Sequence, residues 1–144
     1  MTNENNEYRP AITVDGEGIA EPLSLAAGIY NILDRRKAGR LSVLNVSEKI
    51  NYTDYIVLCT ASSTTHVRSL ADEIEYRLGL CGIRPDNREG KGDGNSWIVV
   101  DLGNVMVHIF TAEARDFYNL DRLFSDAEKV EIASDIEESE KESD

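Results

Sequence analysis

The sequence predicts an α/β domain built on a single mixed β-sheet packed by helices, and three observations carry the prediction. Two apolar runs, residues 97–102 and 105–110, flank Gly103-Asn104, and a Gly-first two-residue loop is what a I′ or II′ hairpin requires. Two more apolar runs, residues 41–46 and 55–60, have the length of strands and are separated by a polar SEKINYTD connection. Two further stretches repeat apolar residues at helical spacing, one before the first of these runs and one after the second. The expected order is helix, strand, strand, helix, strand, strand, short helix.

Residues 1–20 are polar and lack periodicity, so they are expected to form a flexible N-terminal segment ahead of a domain over 21–124. Pro22 suits the first position of a helix, and Leu23, Ala26, Ala27, Tyr30 and Leu33 recur at helical spacing until Gly39 stops the run. Arg35, Arg36 and Lys37 then lie where the helix dipole favours cations. After the second strand, Ser62, Ser63 or Thr64 can cap a second helix. Its apolar stripe is Val67, Leu70, Ala71, Ile74 and Leu78, and its solvated face carries Asp72, Glu73, Glu75 and Arg77. Residues 80–95, rich in glycine and charge, are expected to be a loop.

The hairpin fixes more than its own strands. A two-residue loop sets Leu102 opposite Val105, Asp101 opposite Met106, Val99 opposite His108 and Trp97 opposite Phe110. One face then carries Ile98, Val100, Leu102, Val105, Val107 and Ile109, which suits burial under helices. The other mixes Trp97, Val99, Asp101, Met106, His108 and Phe110. Such a face suits either a second core layer with satisfied polar groups or a partner. In the following segment, ARDFYNLDRLF, Ala114, Phe117, Leu120 and Leu123 supply apolar contacts. Arg115, Tyr118 and Asp121 fall at three-residue steps and would share one row of a helix.

Composition narrows the function. A chain of 144 residues suits one domain, and no run reaches the roughly 20 apolar residues of a membrane helix. The N-terminal stretch shows no basic patch followed by an apolar segment, so a cytoplasmic location is expected. The net charge is -12, and residues 125–144 hold nine acidic residues against two lysines, which reads as an acidic disordered tail. An acidic body repels phosphate backbones and favours a basic protein partner over nucleic acid.

Motifs for chemistry are weak. GKGDG lacks the Ser or Thr and the following helix of a phosphate loop. Ser62, Ser63 and His66 are better explained by capping than as a nucleophile and base. His66 and His108 with Asp54 or Asp101 lack metal-ligand spacing, and Cys59 and Cys81 read as buried or idle thiols. No cofactor or metal is expected.

The run DYIVLCTASSTTHVRSLADEI over 54–74, W-x-x-x-D-x-G over 97–103, V-x-V-H-x-F over 105–110 and R-x-F-Y-x-L-D over 115–121 resemble the ribosomal silencing factor family, the Iojap-like proteins. Lys37-Ala38 is similar as well, and the resemblance extends from Leu23 to Ala127. The departures are small: Asn104 stands where Asp is common, Asp121 where Glu is common and Phe124 where Trp is common. The resemblance implies a nucleotidyltransferase-like fold lacking the catalytic carboxylates, since no D-x-D pair follows Ser62-Ser63. It further implies a non-enzymatic translational repressor that binds the large-subunit ribosomal protein numbered fourteen and sterically blocks joining with the small subunit. The expected contact residues are Trp97, Asp101, Met106, His108, Phe110, Arg115, Tyr118 and Asp121. Two other readings stand beside this one. The first is a nucleotidyltransferase or phosphate-ester-processing enzyme using Asp54, Asp101 and His108. The second is self-association of the free protein as a homodimer through the same apolar face.

Overall fold

The computed structural model describes residues 8–135, which form a six-stranded sheet in the order β3-β4-β5-β2-β1-β6 with helices on both faces. Helix α1 (Pro22–Arg35) starts where the Glu21 carboxylate accepts from the backbone N–H groups of Ser24 and Leu23, and Pro22 occupies the first turn. Strands β1 (Gly39–Asn45) and β2 (Tyr55–Ala61) pair antiparallel. Helix α2 (Thr64–Leu80) is capped by Ser63, whose Oγ accepts from His66 N at 3.1 Å. Strand β3 (Asn87–Lys91) follows, then β4 (Trp97–Asp101) and β5 (Val105–Thr111), each antiparallel to the one before. Strand β5 returns parallel to β2, which places α2 in the crossover. Helices α3 (Ala112–Tyr118) and α4 (Leu120–Leu123) and strand β6 (Glu128–Lys129) close the chain.

The hairpin register is the expected one: Trp97 opposes Phe110, Val99 opposes His108 and Asp101 opposes Met106. Gly103 takes φ 84°, the positive angle of a II′ first position, and its N–H donates to Asp101 Oδ1 at 2.9 Å. Because side chains alternate across a strand, the sheet separates two cores. The first joins α1 and α2 to Val57, Cys59, Ile98, Val100, Val105, Val107 and Ile109. The second, smaller core joins Leu44, Val46, Ile56, Leu58 and Phe110 to Ala114 and Phe124.

Several expectations are corrected. Helix α1 buries Leu25, Ala26, Ile29, Ile32 and Leu33, so its stripe is turned from the expected one and Leu23 is exposed. Arg77, expected on the solvated face of α2, is buried, with Nε donating to Glu73 and Nη1 to the Tyr8 carbonyl. Residues 87–91, expected to be loop, form an edge strand. Residues 8–20, within the expected flexible segment, lie packed on the helices: Pro10 is buried, Tyr8 and Ile12 rest on the first core, and Glu21 N donates to Thr13 O at 2.8 Å.

Residues 125–135, expected to be disordered, are placed along the sheet edge and α1. Val130 N donates to Val43 O at 2.8 Å, and the buried Asn31 accepts from Asp135 N while donating to Ala133 O. Low apolar content misleads here because Val130 and Ile132, two residues apart, suffice to seat an edge segment on the first core. The remaining parts of the expected terminal segments, 1–7 and 136–144, lie outside the described residues.

Candidate functional site

The second face of the sheet is covered over only part of its width. Helices α3 and α4 lie over the β1, β2 and β5 side, where Ala114 and Phe124 meet Leu44, Ile56, Leu58 and Phe110. Toward β4 and β3 the face is open, and it is there that the sequence placed its mixed residues. Trp97 is half-buried at the boundary. Its ring stacks on Phe110 with centroids 5.0 Å apart and planes at 25°, and it meets Tyr118 at 4.6 Å and His108 at 5.8 Å. Phe117 meets Tyr118 edge-on at 5.0 Å, so the aromatic run continues outward from the sheet. Lys91 Nζ sits 5.7 Å from the Trp97 ring.

The indole N–H donates to His108 Nδ1 at 3.1 Å. That nitrogen must therefore be unprotonated, with the ring proton on Nε2. Burial pushes the His108 pKa down to about 4, and the nearby Lys91 charge acts in the same direction, so the imidazole is neutral at pH 7. Asp101 and Met106 are half-buried on the open side, and Asp101 is already engaged with the Gly103 N–H.

The expected row of Arg115, Tyr118 and Asp121 does not exist as one helix face. Asn119 adopts a left-handed conformation, φ 53° and ψ 49°, and breaks the helix between α3 and α4. Arg115, only 3% exposed, reaches across the break to hold Asp121 by two bonds, Nε to Oδ2 at 3.0 Å and Nη2 to Oδ1 at 2.9 Å. Its Nη1 donates to the Arg40 carbonyl, which ties the corner to β1. Hydrogen bonding from Arg115 is the main reason the Asp121 carboxyl is held below the usual carboxylate range. Tyr118 turns the other way, to Trp97.

Two members of the expected contact set are thus corrected. Phe110 is fully buried beneath Trp97, and Arg115 is an internal brace; neither reaches a partner. In their place the structure exposes Phe117, at 80%, and Leu123, at 68%, both of which sequence spacing had assigned to packing. Asn119 was the available signal, since Asn tolerates the left-handed region and shifts the phase of everything after it.

The other candidate chemistry is occupied by structure. His66 Nδ1 accepts from Ser62 N at 2.9 Å and its Nε2 lies 3.1 Å from the Arg36 carbonyl, so the Ser62, Ser63 and His66 group ties the start of α2 to the end of α1. GKGDG is the turn from β3 to β4, with Gly92 at φ 75° where Ser96 Oγ would collide with a Cβ at 2.6 Å. Among the described residues no three His, Cys, Asp or Glu side chains converge as a metal site. No described helix is long and apolar enough to cross a membrane.

The sequence model described as "Ribosomal silencing factor during starvation" matches residues 20–144, nearly the whole chain. The chain belongs to the ribosomal silencing factor family. It is 32% identical over 102 residues to "Ribosomal silencing factor RsfS" of Halalkalibacterium halodurans, covering 71% of this chain and 86% of that one. It is 31% identical to the chloroplastic protein Iojap of Zea mays over 130 residues, 89% of this chain but 55% of the relative, so it spans about half that protein's length. To "Mitochondrial assembly of ribosomal large subunit protein 1" of Mus musculus it is 29% identical, covering 67% of this chain and 43% of that one. A crystal structure of a Bacillus halodurans protein aligns with TM-score 0.63 at 31% identity, over 76% of this chain and 96% of that one. Family membership identifies a ribosome-associated translational repressor.

Proposed function

We propose that this silencing-factor chain binds the large ribosomal subunit through the ribosomal protein numbered fourteen and blocks joining with the small subunit by obstruction. The observation that carries the reading is the open part of the second sheet face, where Trp97, Tyr118 and Phe117 form a continuous aromatic run ending at a side chain 80% exposed. Aromatic side chains on rigid elements are the usual energetic anchors of protein interfaces. Asp93, Glu113 and Asp116 lie exposed on the same elements, which favours a basic ribosomal protein. The name of the mouse relative points to the large subunit.

On this reading Trp97, Asp101, Met106 and Tyr118 make the contact together with Phe117 and Leu123. Phe110, His108, Arg115 and Asp121 hold that surface in shape. The chain acts where ribosomes are, in the cytoplasm, and needs no bond-making chemistry. The same aromatic surface is free to pair with a second copy before the ribosome is met, and light scattering with and without the ribosomal protein tests whether the two contacts compete.

Co-sedimentation with isolated large subunits, followed by gradient analysis of subunit joining, tests the proposal. Micromolar protein should pellet with the subunit and reduce joining, and Phe117→Ser with Tyr118→Ala should weaken binding about 30-fold, the effect of losing roughly 2 kcal/mol of interface anchoring. Wild-type protein that stays in the supernatant, or joining that proceeds unhindered at saturation, refutes it.

A further inference from the structure

We infer that His108 is the positioning residue for the docking tryptophan: its neutral Nδ1 fixes the rotation of the Trp97 indole and so sets the shape of the partner-binding surface. The inference deepens the function proposed above and rests on it for the docking role of Trp97. The hairpin register places His108 diagonally across from Trp97 and Phe110 directly opposite. Phe110 supports the indole face and Tyr118 touches it from α3, but ring-on-ring contacts at 5.0 and 4.6 Å are broad in angle and permit the indole to turn in its plane. The indole N–H to Nδ1 bond, at 3.1 Å, is the directional constraint.

The residue type fits that task. The acceptor is 8% exposed and close to Lys91, so a protonated imidazole there would be both desolvated and repelled, and the ring stays in the accepting form. A carboxylate at the same place would accept the bond but bring a charge into the second core. A neutral imidazole accepts at Nδ1 while its carbon edge packs against Phe110, whose ring lies 6.2 Å away and tilted by 14°.

The chain contains one tryptophan, so its fluorescence reports Trp97 alone. Two variants separate positioning from bulk. His108→Phe keeps a ring and removes the acceptor; His108→Asn places an amide oxygen near the position of Nδ1. Each is measured for fold by circular dichroism, for Trp97 lifetime and anisotropy, and for co-sedimentation with large subunits. His108→Phe should broaden the lifetime distribution, lower the anisotropy and weaken binding about fivefold to tenfold, the scale of one hydrogen bond. His108→Asn should restore a single dominant lifetime and bind within about threefold of wild type.

The inference is overturned if His108→Phe, folded, keeps both the wild-type lifetime and the wild-type affinity. It is equally overturned if His108→Asn, folded, behaves no better than His108→Phe. Wild-type protein that fails to sediment refutes the docking function instead, and the lifetime measurements still decide whether His108 holds the indole.

Discussion

The Arg115–Asp121 pair offers a test in which the order of two effects, and not only their size, follows from the structure. Arg115 is buried at 3% exposure, whereas the Asp121 side chain is 38% exposed. Removing the acid therefore leaves a guanidinium inside the protein with the Arg40 carbonyl as its remaining recorded partner, while removing the base leaves a carboxylate that water can reach. Stranding one partner of a buried pair costs about 3 to 5 kcal/mol, so Asp121→Ala should lie near the lower end, about 3 kcal/mol. Arg115→Met retains the aliphatic stem and most of the volume, and should cost about 1 to 2 kcal/mol, chiefly from lost bonds to Asp121 and Arg40. At this chain length the two variants should melt lower by about 10 °C and about 5 °C, respectively. Chemical denaturation at pH 7, in low and in 0.5 M salt, measures both, and the difference should persist in salt because the pair is shielded. Equal losses, a reversed order, or a cost below about 0.5 kcal/mol for Asp121→Ala would show that the corner is held by packing alone and refute the brace.

Acid should act through His108 as well. Its folded pKa is about 4 against the ordinary 6.5, so the native state binds fewer protons between these values; stability is complete above pH 6.5 and falls by about 3 kcal/mol as pH drops to 4, a loss that His108→Asn should flatten in pH-dependent melts. Gly28→Ala should destabilise by about 1 kcal/mol despite a better helix former, because the new Cβ would stand 2.8 Å from Ile12 Cγ1 and 3.1 Å from Pro10 Cβ; limited proteolysis should then cut residues 8–20 sooner. Cys59 is buried with its thiol pushed up to about 12, while Cys81 is half-buried, so a thiol reagent should titrate Cys81 in the native protein and Cys59 only in denaturant.

The central sheet was legible because its signals are local and redundant. Two β-branched runs around Gly103-Asn104 define the strands, the register and the first core together, and Ser63 marks the start of α2 by its own chemistry. Strand β3 was not legible, since NREGK contributes backbone pairing at an edge with no buried aliphatic residue and leaves no apolar period to detect. The N-terminal segment was missed for a related reason: Tyr8, Pro10 and Ile12 are too few to form an element, yet they fill a groove that Gly28 leaves open on α1. At the candidate site the sequence located the right strands and the right aromatic residues, but it assumed a continuous helix through Asn119. That single left-handed residue exchanges inside and outside after it, so Arg115 becomes internal while Phe117 and Leu123 become surface.

This division has a consequence for how the binding face can be mapped. Contact and support alternate within a few ångströms: Trp97 over Phe110, Tyr118 beside Trp97, and Phe117 outside the corner that Arg115 closes from within. A loss of binding at any of these positions is therefore ambiguous when taken alone. Stability resolves the ambiguity, because an exposed side chain contributes to the complex without contributing to the fold. Phe117→Ser and Leu123→Ser should lower ribosome affinity with melting temperatures within about 2 °C of wild type, since surface changes cost at most about 0.5 kcal/mol. Phe110→Ala should lose about 3 to 5 kcal/mol of stability whether or not a ribosome is present, the cost of emptying a core site. If Phe117→Ser were as destabilising as Phe110→Ala, the outer aromatic would belong to the core, and the open face would have to be sought elsewhere on the sheet.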